Sequence, residues 1–531
     1  MKRYRFLSIP VVLVALLTVL SAWTAPAAFA SRGGQLVVTV VDKETKRPIS
    51  CRLHLYKDAK RLVRRVPGYP FWNDHIAIPG NVTLRLPNGL YFFEIERGLE
   101  YTTMSGNFKI ETFADDSKTI ELRRATDMSE HGWWSGDLDV RRPIKDIELV
   151  MSADDLHLAM LLDDGKHRRR PTRPKTTPSS KTKASKATDE TKMPVRFDKD
   201  RYYSTDAFEI TWPGTTVYCF NGENVAEDLH LGADRLLREK RLPLAQLKTI
   251  REKSRGWIDV TRSYWWDLPV LVAEGLVDSV EVAHPNFQRK AIVGAEKPGR
   301  QRPSILYPGK DGLPRWTQDI YFKLIEAGFR IPPSAGSGTG KVPNPIGYNR
   351  MYVHVDGSMT YEKWWTAFRT GRVVVTNGPL LQPSVQGHPP GHTFQGPEGE
   401  PVELSIDLNL FTREPISYLE IIKDGESYRN IPIAEYAKSG RLPKVRFEKS
   451  GWFLIRAVSD QDKTYRFAMT APYYVQIGYK KRISRKSVKF FIDWIDQRIE
   501  QLKKEGQTED LEAYQHAKKF WEDIAKRATA D

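Results

Sequence analysis

The sequence has little cysteine: Cys51 and Cys219 are its two cysteines in 531 residues. Two are too few for a disulfide framework, and they fall in segments that we expect to belong to different domains. Neither lies in a Cys-x-x-Cys pair or next to a plausible catalytic base. We therefore expect two buried free thiols, with a single bridge between them as the open alternative.

Long apolar segments and several common catalytic motifs are also missing. Beyond residue 30 no stretch is apolar for 18 residues or more, so no later segment is expected to span a membrane. The glycine-rich run Ser334–Gly340 lacks the Lys-Ser/Thr of a P-loop. There is no Gly-x-Ser-x-Gly elbow, so a serine hydrolase of that type has no support.

The N-terminus has the pattern of a cleaved signal peptide over residues 1–30. A basic start precedes an apolar run from Leu7 to Ala22, and a small-x-small motif follows at Ala28–Ala30. An uncleaved N-terminal anchor is the alternative. The pattern predicts a secreted or periplasmic protein.

The net charge of +16 is concentrated in one segment. Residues 166–192 hold ten Lys/Arg and two acids, half of the whole excess, and are rich in Pro, Ser and Thr. Such a segment cannot bury enough apolar surface to fold, so we expect a disordered insertion at 164–195. It either tethers the protein to an anionic polymer by charge or is a solvated insertion without a partner. Because no reader motif accompanies the charge, we expect no nucleic-acid partner.

The first part of the mature chain, residues 34–125, is expected to form a β-sandwich. Its segments alternate apolar and polar residues, and Pro87-Asn88-Gly89 predicts a hairpin turn. The order Asp-x-x-Thr-x-x-Pro-Ile, then Leu-Pro-x-Gly-x-Tyr, resembles the transthyretin-like modules related to carboxypeptidase regulatory domains. That resemblance implies an accessory or spacer role.

Alternating strand and helix patterns then predict an α/β domain over residues 128–395. Strand patterns with Gly and Pro at the turns predict a second β-sandwich over 400–478. Two amphipathic helices follow over 484–531, with Ser484 as the N-cap of the first. We expect strands at 136–140, 157–162, 215–220, 256–260, 279–283 and 351–355, and helices at 144–153, 242–254, 268–274, 316–327 and 361–370.

The segment Gly132–Leu162 begins with two tryptophans and continues as Gly-Asp-Leu-Asp-Val-Arg-Arg before an amphipathic helix. This motif resembles the opening motif of the polymerase-and-histidinol-phosphatase (PHP) superfamily, in its secreted CehA/McbA-type metallohydrolase branch. Further blocks resemble that branch at 256–286, 315–340, 347–381 and 471–478. The resemblance implies a distorted (β/α)7 barrel, similar to a TIM barrel, flanked by the two β-sandwiches and the helical tail.

The resemblance also implies a metal site, but the ligand positions depart from the family pattern. Asp139 and Arg141 replace the two histidines of the first motif, and Gly338 and Gly340 replace the ligands of the last. An arginine cannot bind a metal and brings a positive charge. Asp267 and His354 are further candidates, with a helix cap and a core histidine as their alternatives.

The remaining candidates define the predicted site. As metal ligands we expect Asp137, Asp139, Glu209, Asp259 and His284. As catalytic residues we expect Asp139, Asp259 and His284. Arg141 and Arg142 are candidates for an anionic substrate group, and Trp134 and Trp266 for stacking against a sugar. An oxygen-rich site suits Mg²⁺, Mn²⁺ or Ca²⁺ better than Zn²⁺, with Fe as a further possibility.

Two functions from different classes follow. The first is a metal-dependent hydrolase of ester or phosphoester bonds with an altered, carboxylate-rich site, acting on a small molecule or a polymer, anionic or carbohydrate. It predicts that Asp137, Asp139, Asp259 and His284 converge around an ion. The second is a pseudoenzyme that binds an extracellular polysaccharide or protein. It predicts that Arg141 and Arg142 pair with those carboxylates.

Overall fold

The structure is a computed structural model that describes residues 33–162, 194–221, 241–254, 256–294 and 296–531. The predicted signal peptide (1–30) and nearly all of the predicted basic insertion (164–195) lie outside these ranges. The described residues form a mixture of α/β and β-rich parts, so the broad fold class expected from the sequence is confirmed. No helix in the described ranges is long and apolar enough to cross a membrane.

The N-terminal part is a sandwich of two sheets around one hydrophobic core. Its strands are β1 (Gly33–Asp42), β2 (Cys51–Lys57), β3 (Arg61–Leu62), β4 (Phe71–Trp72), β5 (His75–Ile78), β6 (Asn81–Pro87), β7 (Gly89–Glu96), β8 (Met104–Ile110) and β9 (Asp115–Leu122). Every second residue of β6 is buried, which is the pattern of a strand with one face on the core.

The hairpin predicted at Pro87-Asn88-Gly89 is wrong. Strand β6 pairs with β1 in one sheet, whereas β7 pairs with β2 and β8 in the other. The chain therefore crosses from one sheet to the other at Asn88, and Gly89 takes a positive φ of 151° at the crossing. Alternation and a turn signal are common to a hairpin and to such a crossing, so the sequence does not distinguish them.

The α/β part begins with a short 3₁₀ helix at Ser129–His131 and contains most of the helices. Its strands are β10 (Trp133–Val140), β11 (Leu158–Leu161), β12 (Val195–Arg196), β13 (Tyr202–Ser204), β14 (Ala207–Trp212), β15 (Thr215–Phe220), β16 (Trp257–Val260), β17 (Ser279–Ala283), β18 (Phe287–Gln288), β19 (Ala291–Ile292), β20 (Pro333–Ala335), β21 (Arg350–His354) and β22 (Val373–Thr376). Its helices are α1 (Ile144–Ala153), α2 (Leu244–Ser254), α3 (Leu268–Ala273), α4 (Gly312–Glu326) and α5 (Tyr361–Arg369).

The C-terminal part adds nine strands and three helices. The strands are β23 (Leu380–Val385), β24 (Thr393–Gly396), β25 (Val402–Phe411), β26 (Ile416–Lys423), β27 (Glu426–Ile431), β28 (Arg441–Phe447), β29 (Gly451–Ser459), β30 (Phe467–Thr470) and β31 (Tyr473–Ile477). The helices are α6 (Ile433–Ser439), α7 (Arg485–Lys504) and α8 (Leu511–Lys526).

Apart from the separate two-stranded pair β18–β19, the strands of the α/β part belong to two sheets, which do not close into one hydrogen-bonded ring within the described residues. One sheet has the order β14-β15-β16-β17-β20. The other runs β12-β13-β11-β10-β21-β22-β30-β29-β26-β27 and also includes β24 and β31. A single isolated bridge, Val140–Thr339, links the segments that carry the two sheets. Strand β13 is bordered by the antiparallel strand β12 rather than by β14, so the ring is open there.

The larger sheet passes without interruption from the α/β part into the C-terminal β-rich part. Strand β22 pairs with β21 on one side and with β30 on the other. The second layer of the C-terminal part is the small sheet β23-β25-β28, and the two layers share a hydrophobic core. The α/β and C-terminal parts are therefore joined by backbone hydrogen bonds as well as by side-chain packing.

Helices α7 and α8 lie against the α/β part. Ser484 caps α7 by accepting a hydrogen bond from the backbone N–H of Ser487, as the sequence predicts. Phe491, Trp494 and Trp521 are fully buried and belong to the largest core cluster of the protein. The apolar stripe predicted from the helical spacing therefore docks onto the body of the molecule.

Candidate functional site

The predicted carboxylates lie on strands of both sheets of the α/β part. Asp137 and Asp139 lie two residues apart on β10, so their side chains share one face, while Leu138 points into the hydrophobic core. Asp259 lies on β16 and Glu209 on β14. Both aspartates of β10, and Asp259, are fully buried.

Asp137 is held by backbone donors instead of by a cation. Its Oδ1 accepts hydrogen bonds from the N–H groups of Asp139 (3.1 Å) and Ser337 (2.9 Å), and its Oδ2 accepts one from Gly347 (2.7 Å). Burial raises the pKa of Asp137 to about 7, although these donors act in the opposite direction. The glycine-rich segment at 335–340 thus contributes the backbone N–H of Ser337 to this carboxylate.

Arg141 forms a cationic bridge between two of the predicted metal ligands. Its Nε donates to Asp139 Oδ1 at 2.9 Å, and its Nη2 donates to Glu209 Oε2 at 2.5 Å. The Tyr218 hydroxyl donates to the other Asp139 oxygen at 2.7 Å, and the guanidinium lies 5.7 Å from the centre of the Tyr218 ring. Asp139 and Glu209 therefore share a permanent positive charge that belongs to the protein.

Asp259 has a partly unpaired carboxylate. Its Oδ1 accepts hydrogen bonds from the hydroxyls of Ser279 and Ser334, whereas its Oδ2 is buried without a hydrogen-bond partner. Burial raises its pKa to about 7, and the negative charges of Asp278 and Asp139 add to the effect.

Glu281 is a further buried carboxylate, which the sequence analysis did not identify. It lies two residues after Ser279 on β17, on the face that Asp259 contacts, and neither of its oxygens has a hydrogen-bond partner. A Cβ atom added at Gly336 would collide with the Glu281 carboxylate and lie 2.6 Å from Cβ of Asp139, so these two acids flank Gly336. Burial raises the pKa of Glu281 well above its usual value, and the nearby acids Asp259 and Asp139 raise it further. A single acid in an otherwise buried strand was the available signal.

His284 lies apart from the carboxylates of β10. Its Nε2 is 3.3 Å from the Thr317 hydroxyl, and its ring contacts the rings of Phe287 and Tyr264. It is fully buried, and burial lowers its pKa well below the usual value, so the ring is neutral.

The other residues predicted to bind substrate pack against side chains of the protein itself. Arg142 stacks over the ring of Trp72, with 5.0 Å between the guanidinium carbon and the ring centre, and it pairs with none of the predicted carboxylates. Trp134 and Trp266 are each 8% exposed. The Trp134 ring packs edge-on against His157, and Trp266 packs against Trp494.

The last two candidates from the sequence have structural partners. Asp267 accepts hydrogen bonds from the Trp212 indole N–H at 2.5 Å and from the Tyr514 hydroxyl, and its side chain makes no cap hydrogen bond to α3. His354 is half-buried and packs edge-on against Trp133.

Imidazoles and carboxylates also converge at the boundary between the N-terminal sandwich and the α/β part. In the described residues, two overlapping groups have ligand atoms within 4.8 Å of one another and could hold a metal ion: His54, Asp74 and His75, and His54, Glu94 and Glu96. Burial lowers the pKa of His75 to about 3, so its ring is neutral and has a lone pair to offer. The sequence analysis assigned none of these residues to a site.

Protein cations already neutralise this second cluster. The Arg52 and Arg289 guanidiniums donate to opposite oxygens of Glu96 at 2.6 Å and 2.8 Å. The Lys290 ammonium donates to Asp74 at 2.7 Å. These three positive charges offset the attraction that the acids would exert on a divalent ion.

The predicted metal-ligand set does not fit one ion. Within the described ranges, Asp137, Asp139, Glu209, Asp259 and His284 form no group of three or more whose ligand atoms lie within 4.8 Å of one another. Asp139 and Glu209 share the guanidinium of Arg141, and His284 contacts a hydroxyl and two aromatic rings. What the carboxylates form is a largely buried cluster with an internal cation, in which burial raises the pKa of Asp137 and Asp259 to about 7.

Comparison with known proteins provides no family for the chain. No family model matches the sequence, and no curated protein matches it. Among solved structures, the Bacillus anthracis TIE protein is similar over 22% of this chain and 20% of its own, with 15% identity and a TM-score of 0.14. A similarity so short and so distant carries no argument about fold or function.

Proposed function

We propose that this chain is a non-catalytic relative of the CehA/McbA-type PHP metallohydrolases, exported through its N-terminal signal segment, that binds an extracellular polysaccharide. In this proposal the two sheets of the α/β part correspond to an opened PHP-type barrel. The observation that carries the proposal is the guanidinium of Arg141 between Asp139 and Glu209.

The position of this guanidinium disfavours a catalytic metal on electrostatic grounds. A single positive charge 4 Å from a divalent ion repels it by on the order of 8 kcal/mol at an effective dielectric constant of about 20. The same charge already neutralises the carboxylates that would have attracted the ion. A guanidinium has no lone pair to offer and cannot generate a metal-bound hydroxide, so it does not replace the ion chemically.

The competing function, a hydrolase with a carboxylate-rich site, draws support from the unpartnered oxygens of Asp259 and Glu281. A bound cation could coordinate these oxygens. Protonation also removes the negative charge of these two groups, because burial raises the pKa of each. A protonated carboxylic acid has no negative charge to attract a metal ion, so we prefer the non-catalytic function.

Elemental analysis of the purified protein tests the proposal. We expect no stoichiometric Mn, Fe, Zn, Mg or Ca in the wild type after incubation with each ion, and no metal-dependent hydrolysis of p-nitrophenyl phosphate or p-nitrophenyl acetate. The Arg141→Ala variant, in which Asp139 and Glu209 lose their cation, is expected to bind Mn²⁺ more tightly than the wild type.

The exposed acid Asp460 provides the matched control, since Asp460→Ala removes a carboxylate without touching the cluster. Circular dichroism verifies that each variant is folded. One ion per wild-type chain that is lost in Asp139→Ala and kept in Asp460→Ala would overturn the proposal and establish the hydrolase site.

A further inference from the structure

A groove of about 370 Å³ lies between helix α4 and the antiparallel pair β26–β27, on the side of the molecule formed by the α/β and C-terminal parts. Its volume falls within the range of about 300–1,000 Å³ that is usual for small-molecule sites. None of the residues predicted from the sequence as metal ligands, catalytic or substrate-binding lines it. The groove is therefore distinct from the carboxylate cluster.

Three aromatic side chains line the groove, of which Tyr307 and Tyr418 are half-buried and Phe322 is only 4% exposed. Tyr307 is fixed in place, because its hydroxyl donates to Asp319 at 2.7 Å and its ring packs against Trp316 with 5.1 Å between centres. Aromatic faces that are held rigidly offer apolar area at low entropic cost, and a pyranose ring presents the C–H groups that such a face accepts.

The polar part of the groove is preorganised by an ion pair. Arg456 donates from Nε (2.9 Å) and Nη2 (2.7 Å) to the same oxygen of Glu420, and Ser427 donates to the other oxygen at 2.8 Å. This ion pair is largely buried, with the Arg456 side chain 12% and the Glu420 side chain 7% exposed, so it forms a fixed wall of the groove.

Two further side chains on the lining provide polar groups that the protein itself does not use. No hydrogen bond or ion pair within the described part of the chain engages the exposed side chains of Arg315 and Asn430. Asp319, by contrast, is already bound by Tyr307 and lies 3.4 Å from Lys323. Arg315 is thus a cation left for a ligand, and a guanidinium binds a carboxylate or a sulfate through forked hydrogen bonds.

We propose that the groove between α4 and β26–β27 binds an acidic carbohydrate, with sugar rings against Tyr307 and Tyr418 and an acidic group on Arg315. This inference rests on the proposed binding function and names the class of ligand and the site. It relocates the sugar-stacking role from Trp134 and Trp266, which are buried, to Tyr307 and Tyr418, which are half-buried and line an open groove.

Calorimetric titration of the full chain with tetragalacturonate, and with maltotetraose as a neutral probe of the same length, tests the inference. We expect the acidic probe to bind and the neutral probe to bind at least about tenfold more weakly. Arg315→Ala should weaken binding of the acidic probe about tenfold, and Tyr307→Ala should abolish it.

Matched controls are available on other surfaces. Arg441→Ala removes an arginine whose side chain is 78% exposed, and Tyr479→Ala removes a tyrosine that is 83% exposed. Neither should change the affinity. Equal binding of both probes, binding that survives Arg315→Ala and Tyr307→Ala, or binding of neither probe would overturn the inference. Binding of a peptide, instead of a carbohydrate, in the groove would also overturn the inference.

A different measurement would contradict the proposed function. A stoichiometric metal or metal-dependent ester hydrolysis would overturn the non-catalytic assignment whatever the groove binds. Release of new reducing ends from tetragalacturonate, monitored in the same samples, would show that the carbohydrate is a substrate rather than a ligand.

Discussion

At the scale of single residues, the candidate site is defined by how each buried carboxylate is compensated. Asp137 uses backbone N–H groups, Asp139 uses Arg141 and Tyr218, and Asp259 and Glu281 keep unpaired oxygens. One cluster thus contains three ways of reducing the cost of burying a carboxylate. Burial raises the pKa of Asp137, Asp259 and Glu281, so the charge states of these three acids should respond to pH.

We expect Asp259→Asn to remove part of the pH dependence of stability. The pKa of Asp259 is about 7 in the folded protein and that of an aspartate is near 3.8 otherwise, so its stabilising contribution is full below about pH 4 and is lost as pH rises through 7. Relative to the wild type, the variant should gain on the order of 4 kcal/mol of unfolding free energy between pH 4 and 8. Denaturant unfolding across that range measures this.

The control for this prediction is Asp407→Asn, at a carboxylate whose side chain is 63% exposed. It should leave the pH profile unchanged. A wild-type profile that is flat from pH 4 to 8, or one that Asp259→Asn does not alter, would contradict the prediction.

The sequence analysis grouped Asp137, Asp139, Arg141 and Asp259 in one candidate site, because their order resembles that of a known motif. It could not identify Glu281 or Tyr218, because their role depends on which strands lie side by side. Pairing between β15 and β16 aligns Tyr218 with Asp259, and this register is a long-range property. Local patterns do not encode it.

At the scale of elements, helices and strands were predicted well wherever periodicity or a cap marks them. Helix α1 covers the predicted residues 144–153, and α5 begins after Thr360, whose side chain accepts from the Lys363 N–H. The crossing at Asn88 and the opening of the sheet beside β13 were not predictable. Both depend on partners distant in sequence, and the same local alternation suits either pairing.

The buried face of the helix pair α7–α8 stabilises its packing onto the rest of the protein. Trp521 is fully buried, stacks on Phe491 with 4.6 Å between ring centres, and donates its indole N–H to the Pro269 carbonyl at 2.9 Å. We expect Trp521→Ala to lower the free energy of unfolding by about 3–5 kcal/mol, measured by denaturant titration. Lys519→Ala, on the exposed face of the same helix, should change it by less than about 0.5 kcal/mol. Equal effects of the two substitutions would refute this role.

At the scale of the whole molecule, buried charges join the N-terminal sandwich to the α/β part. Asp155 accepts hydrogen bonds from Arg97 (2.7 Å), Arg124 (2.7 Å) and Arg201 (2.5 Å) and is 1% exposed. Arg97 and Arg124 come from the sandwich side and Arg201 from the α/β part. Although burial acts in the opposite direction, these three arginines lower the pKa of Asp155, which therefore stays ionised.

We expect Asp155→Ala to loosen this boundary, because it leaves one buried and two half-buried guanidiniums without their shared partner. The cost should be about 3–5 kcal/mol. It should appear in calorimetry as a separate, earlier transition of the sandwich, together with new proteolytic cleavage near residues 125–128. Asp356→Ala removes a carboxylate that is 73% exposed and should produce neither effect. A single unshifted transition in Asp155→Ala would contradict the prediction.

The uninterrupted sheet has a consequence for the order in which the molecule can be assembled during synthesis. Strand β22 (373–376) finds its second neighbour in β30 (467–470), about ninety residues later in the chain. Until that segment leaves the ribosome, one side of β22 presents free backbone donors and acceptors. Folding of the α/β part can therefore be completed only after the C-terminal part has been synthesised. A chain truncated between these strands would expose an unpaired strand edge to which other protein chains could bind and aggregate.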